Sequence, residues 1–425
     1  MLYHFYELNQ AALHPARATA EAYRLLLRNP FNPASHTAVG RSAAAALELF
    51  ERSTRRYRKP AWGIDGVEVD GHQTPVHART VITKPFCNLI HFERELPASR
   101  SRKDPKVLVV APMAGHFSTL LRVTVRDLLP DHDVYMTEWQ DARFVPRDDG
   151  VFDLDVYIDY IIEFLKAFHG DVHVMAVCQP TVPVFAAVSL MEAMEDQDAP
   201  HSMILMAGPV DARESPTAVN HFAAGKSLSW FRRNVITQVP WPQRGMMRSV
   251  YPGFLQLSGF MGMNIDRHLT AHRDLFHNLI RGDGDSADKH REFYDEFLAV
   301  MDLTAEYYLQ TIDTVFLDHT LPKGKMLHRG MRVDPSKVRR VALMTVEGEK
   351  DDITGNGQTK AAHTLCKNLP NGMRAHHLQP DVGHYGVFNG RRFRTEILPE
   401  ICNFLRTHQG SKGVLKRAFE RTFRS

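Results

Sequence analysis

Apolar positions along the 425 residues change their period several times. Over residues 1–60, Leu2, Phe5, Leu8 and Ala12, and later Leu47 and Phe50, recur at helical spacing, and Asn29-Pro30 and Asn32-Pro33 interrupt the run. Two helices joined by a turn are predicted. They pack on the main body, or they present an amphipathic face to an apolar particle. From residue 61 the period falls to two. The stretch GVEVDGHQTPVHARTVITKPFCNLIHFERE (66–95) alternates and carries β-branched residues, which predicts an antiparallel pair of strands. Apolar strand-like runs then alternate with helical patterns. KVLVVAPMAG, DVYMTEWQDA, DVHVMAVC and HSMILMAGPVD read as strands, and the segments between them as helices. After a break the alternation resumes with RRVALMTVEGEKDD, TKAAHTLCKNLP, RAHHLQPDVGHYG and EILPEICNFLRTH. Repeated β-then-α units with nearly continuous apolar strands predict an α/β fold, a mostly parallel sheet with helices on both faces.

The break, residues 212–330, is rich in Phe, Trp, Met and Tyr. An insertion between two strands of such a sheet is placed to form a lid, because the carboxyl ends of the strands face the site. The expected organisation is therefore an N-terminal helical extension (1–60), a core in two pieces (61–211 and 331–410), an inserted helical cap (212–330) and a basic C-terminal tail (411–425). Trp230, Trp241 and Phe254 are candidate substrate-binding side chains of the cap.

Composition narrows the function classes. The formal charge is only +3 and the basic residues are scattered apart from the tail, so nucleic acid is not an expected partner. Four cysteines, Cys87, Cys178, Cys366 and Cys402, are too few for a disulfide framework in a chain this long, which points to a reducing compartment such as the cytoplasm. The start MLYHFYELNQAALHP has neither the basic opening nor the unbroken apolar run of a signal peptide, and no stretch approaches the ~20 apolar residues of a membrane span.

Three segments carry candidate chemistry. VMAVCQPTVP sets Cys178 at the tight turn between a strand and a helix, where a nucleophile is lifted above a sheet. Ala176 and Pro180 stand where such an elbow usually has glycines. Alanine is small, and proline suits a first helical turn. In E-G-E-K-D-D a strand gives way to a turn, and the spacing from Gly348 selects Asp351, with Asp352 the runner-up. D-V-G-H-Y-G places His384 in a glycine-flanked loop before the last helix. The order nucleophile, acid, histidine distinguishes one hydrolase fold from the other triad folds. His384 is expected to take the proton of Cys178, Asp351 to hold the imidazole, and Cys178 to attack an ester carbonyl and become a thioester. The oxyanion needs two donors. The backbone N–H of Gln179 and that of Met113, in A-P-M-A-G-H after the first parallel strand, are the candidates. The serines rival Cys178 poorly. Ser42 falls in the N-terminal helical region and Ser227 in the insertion. His376-His377 reads as a strand pair, and neither a metal nor a cofactor is expected.

The segments MLYHFYELN, APMAGHFSTLLRVTVRDLLPDHDVYMTEWQDAR, VCQPTVPVFAAVSLM, GPVDARESPTAVN, VYPGFLQLSGFMGMN, AEYYLQTI, ALMTVEGEKDDITGNGQT and GHYGVFNGRR together span nearly the whole chain. In them the chain resembles the intracellular polyhydroxyalkanoate (polyhydroxybutyrate) depolymerases of the α/β-hydrolase superfamily. The resemblance implies an enzyme that degrades stored polyester granules in the cytoplasm, with a cysteine nucleophile falling on Cys178 and with Asp351 and His384 completing the triad. The granule surface is the implied partner. Three questions stay open: whether water or coenzyme A accepts the acyl group, whether the chain forms a homo-oligomer, and whether it is instead a non-catalytic granule protein on a retained hydrolase scaffold.

Overall fold

A computed structural model describes residues 2–97, 103–263, 265–281 and 283–410, so the basic tail expected at 411–425 lies outside the described residues. Its centre is a nine-stranded sheet. In chain order the strands are β1 Gly66–Val69, β2 His72–Thr83, β3 Cys87–Arg94, β4 Lys106–Val110, β5 Asp133–Trp139, β6 His173–Val177, β7 Ser202–Met206, β8 Ala342–Gly348 and β9 Arg374–Gln379. Across the sheet the order is β1-β2-β3-β5-β4-β6-β7-β8-β9. The first four are joined by antiparallel pairings and the remainder by parallel ones. This order, with the β4/β5 exchange and parallel strands beyond it, is the α/β-hydrolase arrangement.

The parallel strands form where the apolar runs predicted them. Val107–Val110, Val174–Val177 and Met203–Met206 have no exposed surface, as residues covered on both faces must. Helices α3 Arg122–Leu128, α4 Leu154–Lys166, α5 Thr181–Ala193 and α10 Leu398–His408 follow strands and flank the sheet. In α5 nearly every residue is buried, so its sequence lacks a polar stripe. The expected pair of strands at 66–95 is three strands. Asp70 and Gly71 both take positive φ, 52° and 80°, and close a two-residue hairpin between β1 and β2.

Between β7 and β8 the chain leaves the sheet. It forms short helices, a small three-stranded ribbon and the longer helices α6 Gly253–Met263, α7 Ile265–Arg281, α8 Gly284–Phe297 and α9 Ala305–Thr311. The N-terminal helices, α1 Leu2–Arg28 and α2 Ala38–Thr54, are antiparallel neighbours, as the Asn-Pro breaks predicted. They fasten to this insertion, and Tyr3 of α1 also packs in one cluster with Ala142 of the core. One fastening is electrostatic. The buried Glu48 carboxylate receives Arg24 and Arg28 of α1 and Arg291 of α8, at 3.5, 2.8 and 2.6 Å. Alone, Glu48 would carry a heavy desolvation cost there. Phe5 and Leu8 on α1 remain exposed. Among the described residues no helix is long and apolar enough to cross a membrane.

One buried polar network joins the three parts. The Tyr3 hydroxyl donates to Asp302 at 2.6 Å, the N–H of Gly253 donates to the same carboxylate at 2.9 Å, and the N–H of Asp302 donates to Asp141 at 3.1 Å. Asp141 also pairs with Arg143 at 2.7 Å. Burial and then the charge of Asp141 push the Asp302 carboxyl up to about 7, against the pull of Arg143. A carboxyl raised on folding binds a proton that the unfolded chain has released. Its contribution to stability is full below the unfolded value of 3.8 and is lost as pH rises through about 7. Replacing Asp302 by Asn should therefore shrink the fall in Tm between pH 5 and pH 8. Thermal scans of both proteins at the two pH values check this, and an unchanged difference would refute it.

Candidate active site

Strand β6 ends at Val177, and Cys178 follows with φ of 67°. A side chain other than glycine in this region stores backbone strain, which persists only where the surroundings hold it. Here they do. The Cys178 N–H donates to the Met206 carbonyl at the end of β7 at 2.7 Å, and its carbonyl accepts the Thr181 N–H at 3.1 Å. The turn also needs a neighbour without a side chain. A Cβ on Gly208 would lie 1.9 Å from Thr181 Oγ1 and 2.4 Å from the Cys178 carbonyl oxygen. The close approach usually secured by glycines within the elbow is secured from the adjacent strand end, which is why Ala176 and Pro180 suffice.

Asp351 lies in the turn after β8. Its Oδ1 accepts the N–H groups of Ile353 and Thr354 at 2.9 and 2.8 Å, which orients the carboxylate. The turn is braced from below by buried Glu347, which accepts N–H groups of Gly357, Thr359 and Lys360. The Lys350 N–H donates to the Val382 carbonyl at 2.9 Å, joining the acid loop to the histidine loop. His384 Nδ1 then lies 2.9 Å from Asp351 Oδ2, with the two side chains 5% and 1% exposed. Of the two adjacent aspartates, Asp351 is the one brought to His384.

Burial works to lower the His384 pKa, but the charges of Cys178 and Asp351 and hydrogen bonds to both outweigh it, and the imidazole is held well above its ordinary value. With Nδ1–H given to Asp351, Nε2 is left to exchange a proton with Cys178. The structure thus brings Cys178, His384 and Asp351 into one chain of contacts.

Gln179 directly follows Cys178, and Met113 lies in the loop after β4. Among the described residues neither backbone N–H has a protein acceptor. The Met113 loop is fixed from two sides. Trp139 Nε1–H donates to the Ala111 carbonyl at 2.8 Å, and the Met301 N–H of the insertion donates to the Gly115 carbonyl at 2.7 Å. The Tyr307 hydroxyl, on α9, reaches the Met113 carbonyl at 3.4 Å.

A family model described as PHB de-polymerase C-terminus matches residues 207–409, a stretch that holds the insertion, Asp351 and His384. Over these residues, just under half of its length, the chain is similar to the polyhydroxybutyrate (PHB) depolymerase family. It is a carboxylic ester hydrolase. No curated protein matches the chain in sequence. Solved structures with similar chain traces include a soluble variant of the monoglyceride lipase of Saccharomyces cerevisiae (10% identity, TM-score 0.44, 80% of this chain and 98% of that one). The monoacylglycerol lipase of Paleococcus ferrophilus is another (10%, 0.42, 71% and 94%).

The three candidate cap residues are placed differently. Trp230 packs edge-on against Phe222 and Phe231, with Lys226 over its ring. Trp241 is largely exposed. Phe254 stacks on Tyr6 at 4.2 Å and meets Tyr3 edge-on, so its ring holds α1 to the insertion. The aromatics beside the triad are others. Tyr385 follows His384 and lies 6.3 and 6.4 Å from Phe293 and Phe297 of α8. Tyr157 of α4 contacts Tyr307 at 5.6 Å. Neither Tyr157 nor Tyr307 stands in a motif. Only the AEYY segment of the resemblance marked Tyr307 at all.

The electrostatics can be checked directly. Cys178 is the largest influence raising the His384 pKa, so Cys178→Ala should move the His384 titration midpoint down, and Asp351→Asn should move it down as well. The ring-proton NMR titration of His384 reads both shifts. A midpoint that stays put in Cys178→Ala would show that the two groups do not interact.

Proposed function

We propose that this protein cleaves the ester bonds of stored poly(3-hydroxybutyrate) through a covalent thioester on Cys178. The observation that carries the reading is the joined set of Cys178 on its strained elbow, His384 and buried Asp351. His384 Nε2 takes the thiol proton as the sulfur attacks the ester carbonyl. The S–C bond forms, the oxyanion is met by the N–H groups of Gln179 and Met113, and the C–O bond breaks as His384 gives the proton to the departing alkoxide. Water then attacks the thioester. His384 takes a proton from the water, the C–S bond breaks, and a hydroxyacid and the free thiol result. Asp351 keeps the imidazole in the needed tautomer throughout.

The family match supports a polymer substrate, and the exposed Phe5 and Leu8 of α1 supply an apolar face that suits an insoluble polyester. On this reading the protein works at the surface of cytoplasmic storage granules. A second reading replaces water by the thiol of coenzyme A, giving a 3-hydroxyacyl thioester. What favours it is a cavity of about 1060 Å³ lined by Trp139 and Phe117 with Arg58 and Arg244, where four further cations, Arg56, Lys59, Lys84 and Arg143, are already paired with carboxylates and Asp149 also lines the wall.

Turbidity of amorphous granules and release of soluble hydroxybutyrate test the proposal. The wild type should clear the granules and Cys178→Ala should not. Asp351→Asn should lose roughly ten-thousand-fold in kcat, the scale seen when a triad's orienting acid loses its charge. Equal clearing by wild type and Cys178→Ala would make Cys178 a packing residue and end the proposal. Release of an acyl thioester only when coenzyme A is supplied would select the second reading.

A further inference from the structure

Two buried polar groups, one on the residue after Cys178 and one packed against the aromatics that hold the Met113 loop, have no hydrogen-bond partner among the described residues. The Tyr157 residue has no exposed surface, and its hydroxyl makes no hydrogen bond. Both atoms of the Gln179 carboxamide are shielded and unpaired as well. Such groups are rare in folded proteins, because each forgoes its bonds to water without a replacement. Other buried tyrosines differ. The Tyr307 hydroxyl reaches the Met113 carbonyl and the Tyr3 hydroxyl reaches Asp302. The place of the two groups is informative. Gln179 follows Cys178 directly. The Tyr157 ring is wedged between Trp139 at 4.3 Å and Tyr307 at 5.6 Å, the two residues that bond to the carbonyls of Ala111 and Met113. Burial above all, then Tyr307, Cys87 and last Cys178, raises the Tyr157 phenol, so it stays protonated and able to donate.

We infer that the Tyr157 hydroxyl and the Gln179 carboxamide form a subsite for the oxygen on C3 of the acyl unit held at Cys178, so that the enzyme selects 3-hydroxyacyl esters over plain acyl esters. This inference rests on the proposed function. A 3-hydroxyacyl group carries an oxygen two carbons from the ester carbonyl, which the phenol can donate to. A terminal unit also has a hydroxyl proton for the carboxamide oxygen. A butyryl chain offers neither, and leaves the groups unpaired. Sites built to bond a substrate hydroxyl reject analogues lacking it far more strongly than apolar pockets reject a missing methylene.

The test compares kcat/KM for p-nitrophenyl 3-hydroxybutyrate and p-nitrophenyl butyrate in the wild type, Tyr157→Phe and Gln179→Met. The ratio of the two values should exceed one in the wild type and fall at least tenfold in each variant. Tyr157→Phe should also keep or raise Tm, because it removes an unpaired hydroxyl. An unchanged ratio overturns the subsite, and so does a lowered Tm with an unchanged ratio, which would show the hydroxyl bonded within the protein. Binding to the Cys178→Ala protein separates this inference from the catalytic reading. Calorimetry should show tighter binding of ethyl 3-hydroxybutyrate than of ethyl butyrate, with the preference lost on adding Tyr157→Phe. That preference would stand even if Cys178 were not the nucleophile, and its absence would overturn the subsite even in an active esterase.

Discussion

The site depends on one short hydrogen bond, from the Cys178 N–H to the Met206 carbonyl. It extends the pairing of β6 with β7 one residue past the end of β6 and carries the chain into a left-handed turn. Without it, the unfavourable φ of Cys178 would relax and the sulfur would drop toward the sheet. The bond in turn requires β7 to run close beside the elbow, which only a glycine at position 208 permits. Gly208 is itself held by Thr359, which exchanges hydrogen bonds with both its N–H and its carbonyl. Thr359 also gives its N–H to Glu347, the residue bracing the acid loop. Nucleophile turn and acid turn therefore share one buried support.

How far this architecture could be read from the sequence depends on how local each feature is. The parallel strands were legible because burial on both faces leaves no choice but an unbroken apolar run, as in KVLVV and SMILM. The candidate triad was legible because each member sits at a strand end whose place in the βα alternation was already clear. The hairpin at Asp70-Gly71 went unrecognised because its strands were counted by alternation alone, although the dipeptide itself signals such a turn.

Other features depend on contacts that no local pattern records. Tyr157 lies in an apolar helix among similar residues, and what sets it apart is the missing partner of its hydroxyl. Phe254 looked like a surface aromatic of a lid, but α1 covers it. The docking of the first two helices onto the insertion draws on Glu48, a buried acid in an otherwise ordinary amphipathic helix. For Phe254 and Glu48 the decisive partners, Tyr3 and Arg291, are far away in the chain, so spacing gave no clue.

The bond between Tyr3 and Asp302 joins residues 299 positions apart. During synthesis, the first helix leaves the ribosome long before its anchor exists. At ~5–20 residues per second it waits about 15–60 s, with Phe5, Leu8 and the face that will meet Phe254 open to whatever is nearby. The first helix thus waits for an anchor made much later, and for that interval it is a natural target for a chaperone.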